Sequence, residues 1–324
     1  MSYRIGDASN YADQIVLTLS HFLGPDSFFQ RDFAEPWAHE LAATTNGAVR
    51  VEIHNSTSPY GDVTKQARQV EDGTVDIALG LRGAEHDRFP RSSIIELPFV
   101  VSNALDGSRA LWNLYQAGEL GDDYKGFKVL ALFVHNPGLI HTAVKRITSP
   151  DDLKNQRLRA PNATVAAALA SIDARPVVLQ VNDVMPAVKR GTIDGIVTNW
   201  GNPLPDFNHY MKHHIDIAFY ASAFFVVMDQ HRFDRLPPDI QAAIDQVSNE
   251  KLVTRFGLLW NQWDRPVRQG ATGPNQQILV PDAALLAQWR NALHPFSERE
   301  LDSLVAHGFT GARTVHARLM SQKQ

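Results

Sequence analysis

The sequence predicts an α/β protein of two domains with a cleft between them. A strand–helix–strand unit occurs twice, first from Val49 to Leu81 and again from Pro176 to Val197. Each copy ends in a Gly stop and a short apolar strand: Asp72-Gly73-Thr74-Val75-Asp76-Ile77-Ala78 in the first, Arg190-Gly191-Thr192-Ile193-Asp194-Gly195 in the second. Such a crossover needs a parallel sheet. The copies lie far apart in a chain of 324 residues, which suffices for two domains.

The elements follow in order. Ile15 to Phe22 reads as a buried strand, and Gly24-Pro25-Asp26-Ser27 as a turn whose Ser or Asp caps the next helix. That helix spans Phe28 to Thr44, with Phe29, Phe33, Trp37 and Leu41 as its apolar stripe, and Asn46-Gly47 ends it. After the first repeat, Leu97-Pro98-Phe99-Val100 is a Pro-broken apolar run suited to a crossing between domains. A helix from Ser108 to Leu120, a strand from Phe127 to Val134 and a short strand from Ile140 to Val144 follow. Ser149-Pro150 starts a helix, Gln156 to Ala160 is a strand closed by Pro161, and Thr164 to Ile172 is a helix of small residues. Ala218 to Met228 reads as a strand returning to the first domain. From Pro237 to Arg268 the apolar residues keep a helical period, which predicts one helix of about 28 residues, ~40 Å long at 1.5 Å per residue.

Hydrophobic content of 44% and charged content of 20% are those of a soluble globular chain. A net charge of −4 argues against nucleic acid as the main partner. No apolar run reaches the ~20 residues needed to span a bilayer. Met1 to Asp7 shows no charged segment followed by an apolar one, so no signal peptide is visible. Two readings stand: a cytoplasmic protein, or a mature form whose leader has been removed. The absence of Cys excludes disulfides, thiolate chemistry and Cys metal sites. No phosphate loop, dinucleotide fingerprint or nucleophile elbow is present, so no cofactor is expected. His209, His213 and His214 form a cluster without the further ligands zinc requires, so no metal is expected. Asp76 and Asp194 occupy equivalent repeat positions, where strand-start hydrogen bonds explain them better than acid–base chemistry.

The segment Ser149-Pro150-Asp151-Asp152-Leu153-Lys154-Asn155-Gln156-Arg157-Leu158-Arg159-Ala160-Pro161 resembles the "spxDLkGlkiRvP" stretch of the solute-binding proteins of tripartite ATP-independent periplasmic (TRAP) transporters, dicarboxylate-type family. Both Gly-x-x-Asp segments and Leu97-Pro98-Phe99 are similar to further segments of that family, in the same order. The resemblance runs from Ile15 to Ala306 and rests on this collinearity. It implies a periplasmic-binding-protein-like fold: two α/β domains around a cleft, hinge strands near Ser93–Val101, Phe133–His141 and Ala218–Met228, and a long domain-spanning helix. The implied domains are 1–134 plus 219–250, and 135–218 plus 251–324.

In that family the Arg of the "iRvP" segment pairs with a substrate carboxylate, and by position this is Arg159. A guanidinium fork matches a carboxylate bidentately. Arg157 shares its side of the strand by alternation and is the rival. After Gly195 the sequence departs from the family's common pattern. Thr198 falls where an Asn often holds the carboxylate, and Asn199 and Trp200 follow. Trp200 is either an apolar wall favouring a monocarboxylate with a hydrophobic part, or a core residue. Further candidates are His21 and Phe22 at the end of the first strand, Phe28 just beyond it, Tyr60 in the first repeat's loop, His135, Asn136 and His141, and Phe224 or Phe225. The resemblance implies capture of a small organic acid in the periplasm and delivery to membrane permease subunits, with no chemistry of its own. The alternatives are an enzyme acting on a small carboxylate, with His135 or His141 as base, and a ligand-sensing subunit of a signalling system.

Overall fold

The computed structural model describes residues 14–321 except 86, 202, 203, 205 and 274. Met1 to Asp7, read above for a leader, lie outside the described residues. The strands are β1 (Ile15–His21), β2 (Val49–His54), β3 (Ile77–Leu81), β4 (Phe127–Val134), β5 (Gly138–Thr142), β6 (Arg157–Ala160), β7 (Arg175–Val178), β8 (Gly195–Thr198), β9 (His213–Tyr220), β10 (Ala223–Asp229) and β11 (Gln277–Leu279). They form two sheets, ordered β2-β1-β3-β10-β4 and β11-β9-β5-β8-β6-β7. The helices are α1 (Glu35–Thr44), α2 (Gln66–Glu71), α3 (Ala104–Gln116), α4 (Ala163–Ala170), α5 (Val181–Lys189), α6 (Phe207–Tyr210), α7 (Gln230–Asp234), α8 (Pro238–Val247), α9 (Asn249–Gly270), α10 (Ala283–Ala306) and α11 (Ala312–Ser321).

The chain divides into two compact units. The first comprises residues 1–80, 125–131 and 225–252, the second residues 81–124, 132–224 and 253–324. In the first, β1 pairs in parallel with β2 and β3, as the first repeat requires. Phe29, Phe33, Trp37 and Leu41 are all buried, so the apolar stripe read from the sequence is real. The helix that carries it opens as a π-helical turn, Phe29–Ala34, before becoming α1. In the second unit β6 pairs in parallel with β7 and β8, while β5 runs antiparallel to β8 and β9.

The two repeat aspartates do the same work. Asp76 Oδ2 accepts from Thr18 N and Thr18 Oγ1, at 2.8 and 2.9 Å. Asp194 Oδ2 accepts from Arg157 N at 2.8 Å, and its Oδ1 from Arg157 Nη2 at 2.6 Å. Each precedes its own strand and binds a backbone N–H of the strand beside it, Thr18 in the middle of β1 and Arg157 at the start of β6.

Three expectations are corrected. The helix from Pro237 to Arg268 is two helices, because Asn249 adopts φ 59° after Ser248 at φ −119° and breaks the hydrogen-bond ladder. Asn tolerates the left-handed region, and its amide donates back to Asp245 O and Oδ1. α9 begins in the first unit and continues in the second. The run Ala218 to Met228 is not one strand: β9 ends at Tyr220, and β10 starts at Ala223 in the other sheet. Ser93–Val101 is not a hinge strand either. Arg91–Glu96 is a 3-10 helix, and Phe99 turns through φ 64° to donate its N–H to Ala218 O.

Candidate functional site

β6 is a four-residue strand whose register places Arg159 beside Ile196 of β8 and Val177 of β7. Arg159 is buried, 4% exposed. Its Nε donates to Leu179 O at 3.0 Å and its Nη1 to Val197 O at 3.3 Å. Its Nη2 makes no hydrogen bond to a described residue, and none of their carboxylates lies within ion-pair distance. Burial pushes the guanidinium's pKa down. The contrast with Arg82 in the same unit is direct. Arg82 is equally buried, but its Nη2 donates to Glu96 Oε2 at 2.6 Å. Arg157 is consumed elsewhere: it is half exposed and paired with Asp194.

Beside Arg159 stand aromatic side chains. Its charge acts on the His135 imidazole and the Tyr220 phenol. Burial raises the pKa of Tyr220, and the Arg159 charge opposes it. Burial pushes His135 down to about 4, the Arg159 charge pushes the same way, and the bond to Asn136 O resists. The ring accepts from Ser222 N at Nε2, which fixes the neutral tautomer with the proton on Nδ1, facing Asn136 O. Tyr220 and Trp260 meet His135 edge-on at 5.1 and 5.7 Å. Phe224 lies 6.2 Å from His135 and 6.0 Å from Trp260. Tyr220 fits because residue 138 is Gly: a Cβ there would meet Tyr220 Cε1 at 2.1 Å.

The end of β8 is held residue by residue. Thr198 is buried and its carbonyl accepts from His141 Nε2 at 3.1 Å. Asn199 Nδ2 donates to Asp264 Oδ1 at 3.1 Å, and Gly201 N donates to the same oxygen at 2.5 Å. Asn136 Nδ2 donates to Asp264 Oδ2 at 2.9 Å, while its Oδ1 accepts from Ala104 N at the start of α3. Trp200 packs into the core of this unit with Leu139, Val184 and Phe207, and against His141 at 4.8 Å. Its indole Nε1 is buried with no hydrogen-bond partner among the described residues. A cavity of about 730 Å³ is lined by Asn136, Trp200, Asp216, Asn261, Asp264 and Arg265, among others.

In the first unit His21, Phe22 and Phe28 lie at or beyond the carboxyl end of β1 and Tyr60 beyond that of β2, where open α/β sheets present ligand contacts, while Phe225 lies within β10. His21 closes β1; its Nδ1 accepts from Leu23 N and its Nε2 meets Gln30 Oε1 at 2.7 Å, a neutral, structurally engaged imidazole. Phe22 follows, partly buried. Tyr60 packs edge-on against His54 at 4.9 Å, and its carbonyl accepts from Gln66 and Gln69. Phe28 lies under the Arg31 guanidinium, and Phe225 is fully buried against Gly80. Among the described residues no three His, Cys, Asp or Glu side chains gather as a metal would need, and no helix is long and apolar enough to cross a membrane.

Sequence reading missed Tyr220, Trp260 and Asp264. Asp264 did leave a signal: it falls on the buried face of α9 with Phe256, Trp260 and Trp263, an acid in an apolar stripe.

Comparison with known proteins adds to this geometry. The pattern of one family, described as bacterial extracellular solute-binding protein, family 7, matches residues 19–302. A solved TRAP solute-binding protein from a marine metagenome, specific for aromatic acid ligands and in complex with metahydroxyphenylacetate, is 28% identical. It superposes with TM-score 0.88 over 95% of this chain and 99% of that one. A TRAP solute-binding protein from Rhodoferax ferrireducens T118, with copurified benzoate, is 27% identical with TM-score 0.85 over 96% of this chain and 100% of that one. Among curated proteins, an outer membrane transporter protein, TsaT, from Comamonas testosteroni is 26% identical over 94% of this chain and 90% of its own length.

Proposed function

The chain belongs to the bacterial extracellular solute-binding proteins, family 7, and from that premise we propose that Arg159 anchors the carboxylate of an aromatic monocarboxylic acid. The protein is a TRAP-type solute-binding protein for organic acids and not an enzyme. One observation carries the anchor. Arg159 is a buried guanidinium without a carboxylate partner among the described residues, whereas the equally buried Arg82 has Glu96. A buried charge is tolerated only when paired, and a carboxylate ligand supplies that pair bidentately.

The aromatic class is favoured by the ring cluster that begins at the anchor: the Arg159 charge acts on His135 and Tyr220, and Phe224 and Trp260 pack against His135. Relatives at 27–28% identity are solved with benzoate, 3-hydroxybenzoate and metahydroxyphenylacetate. Thr198, Asn199 and Asn136 shape the polar side of the site. Delivery to membrane permease subunits, in the periplasm, follows from the family's role.

Thermal unfolding of the wild type and Arg159→Ala against a panel of carboxylates tests this. A ligand at about 100 times its dissociation constant adds ~2.7 kcal/mol and raises the midpoint by several degrees. The expected result is a shift with aromatic monocarboxylates, smaller with aliphatic dicarboxylates, and absent in the variant. A shift that survives removal of Arg159 sinks the anchor; a preference for dicarboxylates sinks the ligand class.

A further inference from the structure

Asp264 lies on α9, 9% exposed, and three donors converge on it. Oδ1 accepts from Asn199 Nδ2 and Gly201 N, and Oδ2 accepts from Asn136 Nδ2. Two of the three, one on each oxygen, cannot be exchanged for an acceptor. A backbone N–H only donates. The Asn136 amide cannot turn over, because its Oδ1 already accepts from Ala104 N at 2.7 Å. Asn199 directly follows Thr198 and Val197, and the Val197 carbonyl receives Arg159 Nη1. The short run from Val197 to Gly201 is therefore tied at one end by Arg159 and at the other by Asp264.

We propose that Asp264 is a positioning residue of the ligand site, and that its ionised carboxylate is the form that holds Asn136, Asn199 and Gly201 in binding geometry. This rests on the reading of Arg159 as anchor. The chemistry is a count of lone pairs. An ionised carboxylate accepts at both oxygens. A protonated one turns one oxygen into a donor, which must then face an N–H. One tether opens, and the strand end that Arg159 leans on is released.

The surroundings bring this change within reach of ordinary pH. Burial pushes the Asp264 carboxyl up to about 6, against the three hydrogen bonds, and the charge of Asp216 on β9 adds to the rise. Among the described residues the other charged groups in its cavity are Arg265 and Arg268 on α9 itself, and Arg268 lies 3.6 Å from Asp216. Among the described residues, the hydrogen bonds that reach it from the segments carrying Asn136 and Asn199 come from amides. Asp264 also lines the 730 Å³ cavity, which gives its proton a route to solvent.

The test is calorimetric titration of the full chain with benzoate between pH 5 and 8, for the wild type, Asp264→Asn and Arg159→Ala. Asn has one accepting and one donating end, so it mimics the protonated acid at every pH. Wild-type affinity is expected to hold above neutrality and fall about tenfold by pH 5, the size of one lost charged hydrogen bond. Asp264→Asn is expected to bind about tenfold more weakly at pH 7.5 with no step on acidification. A variant that binds as the wild type does, or keeps the step, overturns the proposal. Should the variant not fold, the wild-type side-chain amide resonances of Asn136 and Asn199 decide: they shift together near pH 6 if Asp264 holds them, and their failure to do so overturns it. Benzoate binding that survives in Arg159→Ala refutes the anchor alone, since the amide titration reads the Asp264 tether without ligand.

Discussion

The imidazoles of His141 and His214 meet Nδ1 to Nδ1 at 2.8 Å, and the contacts around them call for one more proton than two neutral rings carry. His141 Nε2 faces Thr198 O at 3.1 Å and must donate. Gln276 donates its Nε2 to Asn208 O, which turns its Oε1 toward His214 Nε2 at 2.9 Å, so that nitrogen must donate as well. Both Nδ1 atoms are then bare when the rings are neutral. Burial nevertheless opposes the extra charge, pushing His141 well down and His214 to about 4. The fold keeps an unfavourable contact beneath the end of β8 and against the Trp200 ring.

That gives a pH dependence of stability with a definite sign. The folded state lowers the pKa of His135 and His214 to about 4, from an ordinary 6.5. The unfolded chain therefore binds more protons between those values, and stability is lost as pH falls from about 6.5 toward 4. Each imidazole accounts for about 2 kcal/mol by pH 5. His21 and His141 act the same way. Asp264, raised to about 6, acts in the opposite sense and offsets about 1 kcal/mol. The urea midpoint is expected to be clearly lower at pH 5 than at pH 7.5; an equal or higher midpoint contradicts the buried neutral histidines.

Gly138 makes a steric prediction. A methyl group at this position lands 2.1 Å from Tyr220 Cε1, and the ring is confined by His135. Gly138→Ala is expected to destabilise by about 1–3 kcal/mol through overpacking and to weaken benzoate binding by displacing Tyr220 from the anchor's side. Denaturant unfolding and titration check both. Unchanged stability means the ring has room that the packing denies.

The sequence carried most of the element order because local signals agree with the fold. Phe29, Phe33, Trp37 and Leu41 announce a buried stripe, and the paired Asp76 and Asp194 announce equivalent strand ends. The break between α8 and α9 was hidden because the apolar period runs straight through Ser248 and Asn249; only a backbone angle at Asn249 interrupts it. The switch of sheets at Ala221 and Ser222 was hidden because the residues on either side of it, Ala218 to Tyr220 and Ala223 to Met228, are all apolar. For the site, Arg157 and Arg159 look alike in sequence. What separates them is tertiary: Asp194 lies within reach of Arg157, and no carboxylate of the described residues lies within reach of Arg159.

Exchanging Arg159 for Lys isolates the fork from the charge. Lys keeps one positive charge but cannot donate to Leu179 O, Val197 O and a ligand in the same planar arrangement. Arg159→Lys is expected to lose at least tenfold in benzoate affinity while retaining the anion preference; one bidentate contact is about 1.4 kcal/mol or more. Wild-type affinity in this variant means that a point charge suffices, and the bidentate geometry is then no part of recognition.

The two buried arginines of the second unit should respond oppositely to removal of their charge. Arg82→Met leaves the buried Glu96 side chain without its partner, and among the described residues its Oε1 keeps the bond from Ala223 N. Breaking a buried pair on one side typically costs about 3–5 kcal/mol. Arg159→Met removes a desolvated cation that no carboxylate of the described residues balances, at the loss of two bonds to carbonyls. The ligand-free protein should then stay within about 1 kcal/mol of wild type, or gain stability, as benzoate binding disappears. Denaturant unfolding of both variants without ligand reads the difference. An Arg159→Met loss as large as that of Arg82→Met shows that Arg159 is a structural ion of the fold, and the carboxylate anchor must then be sought elsewhere.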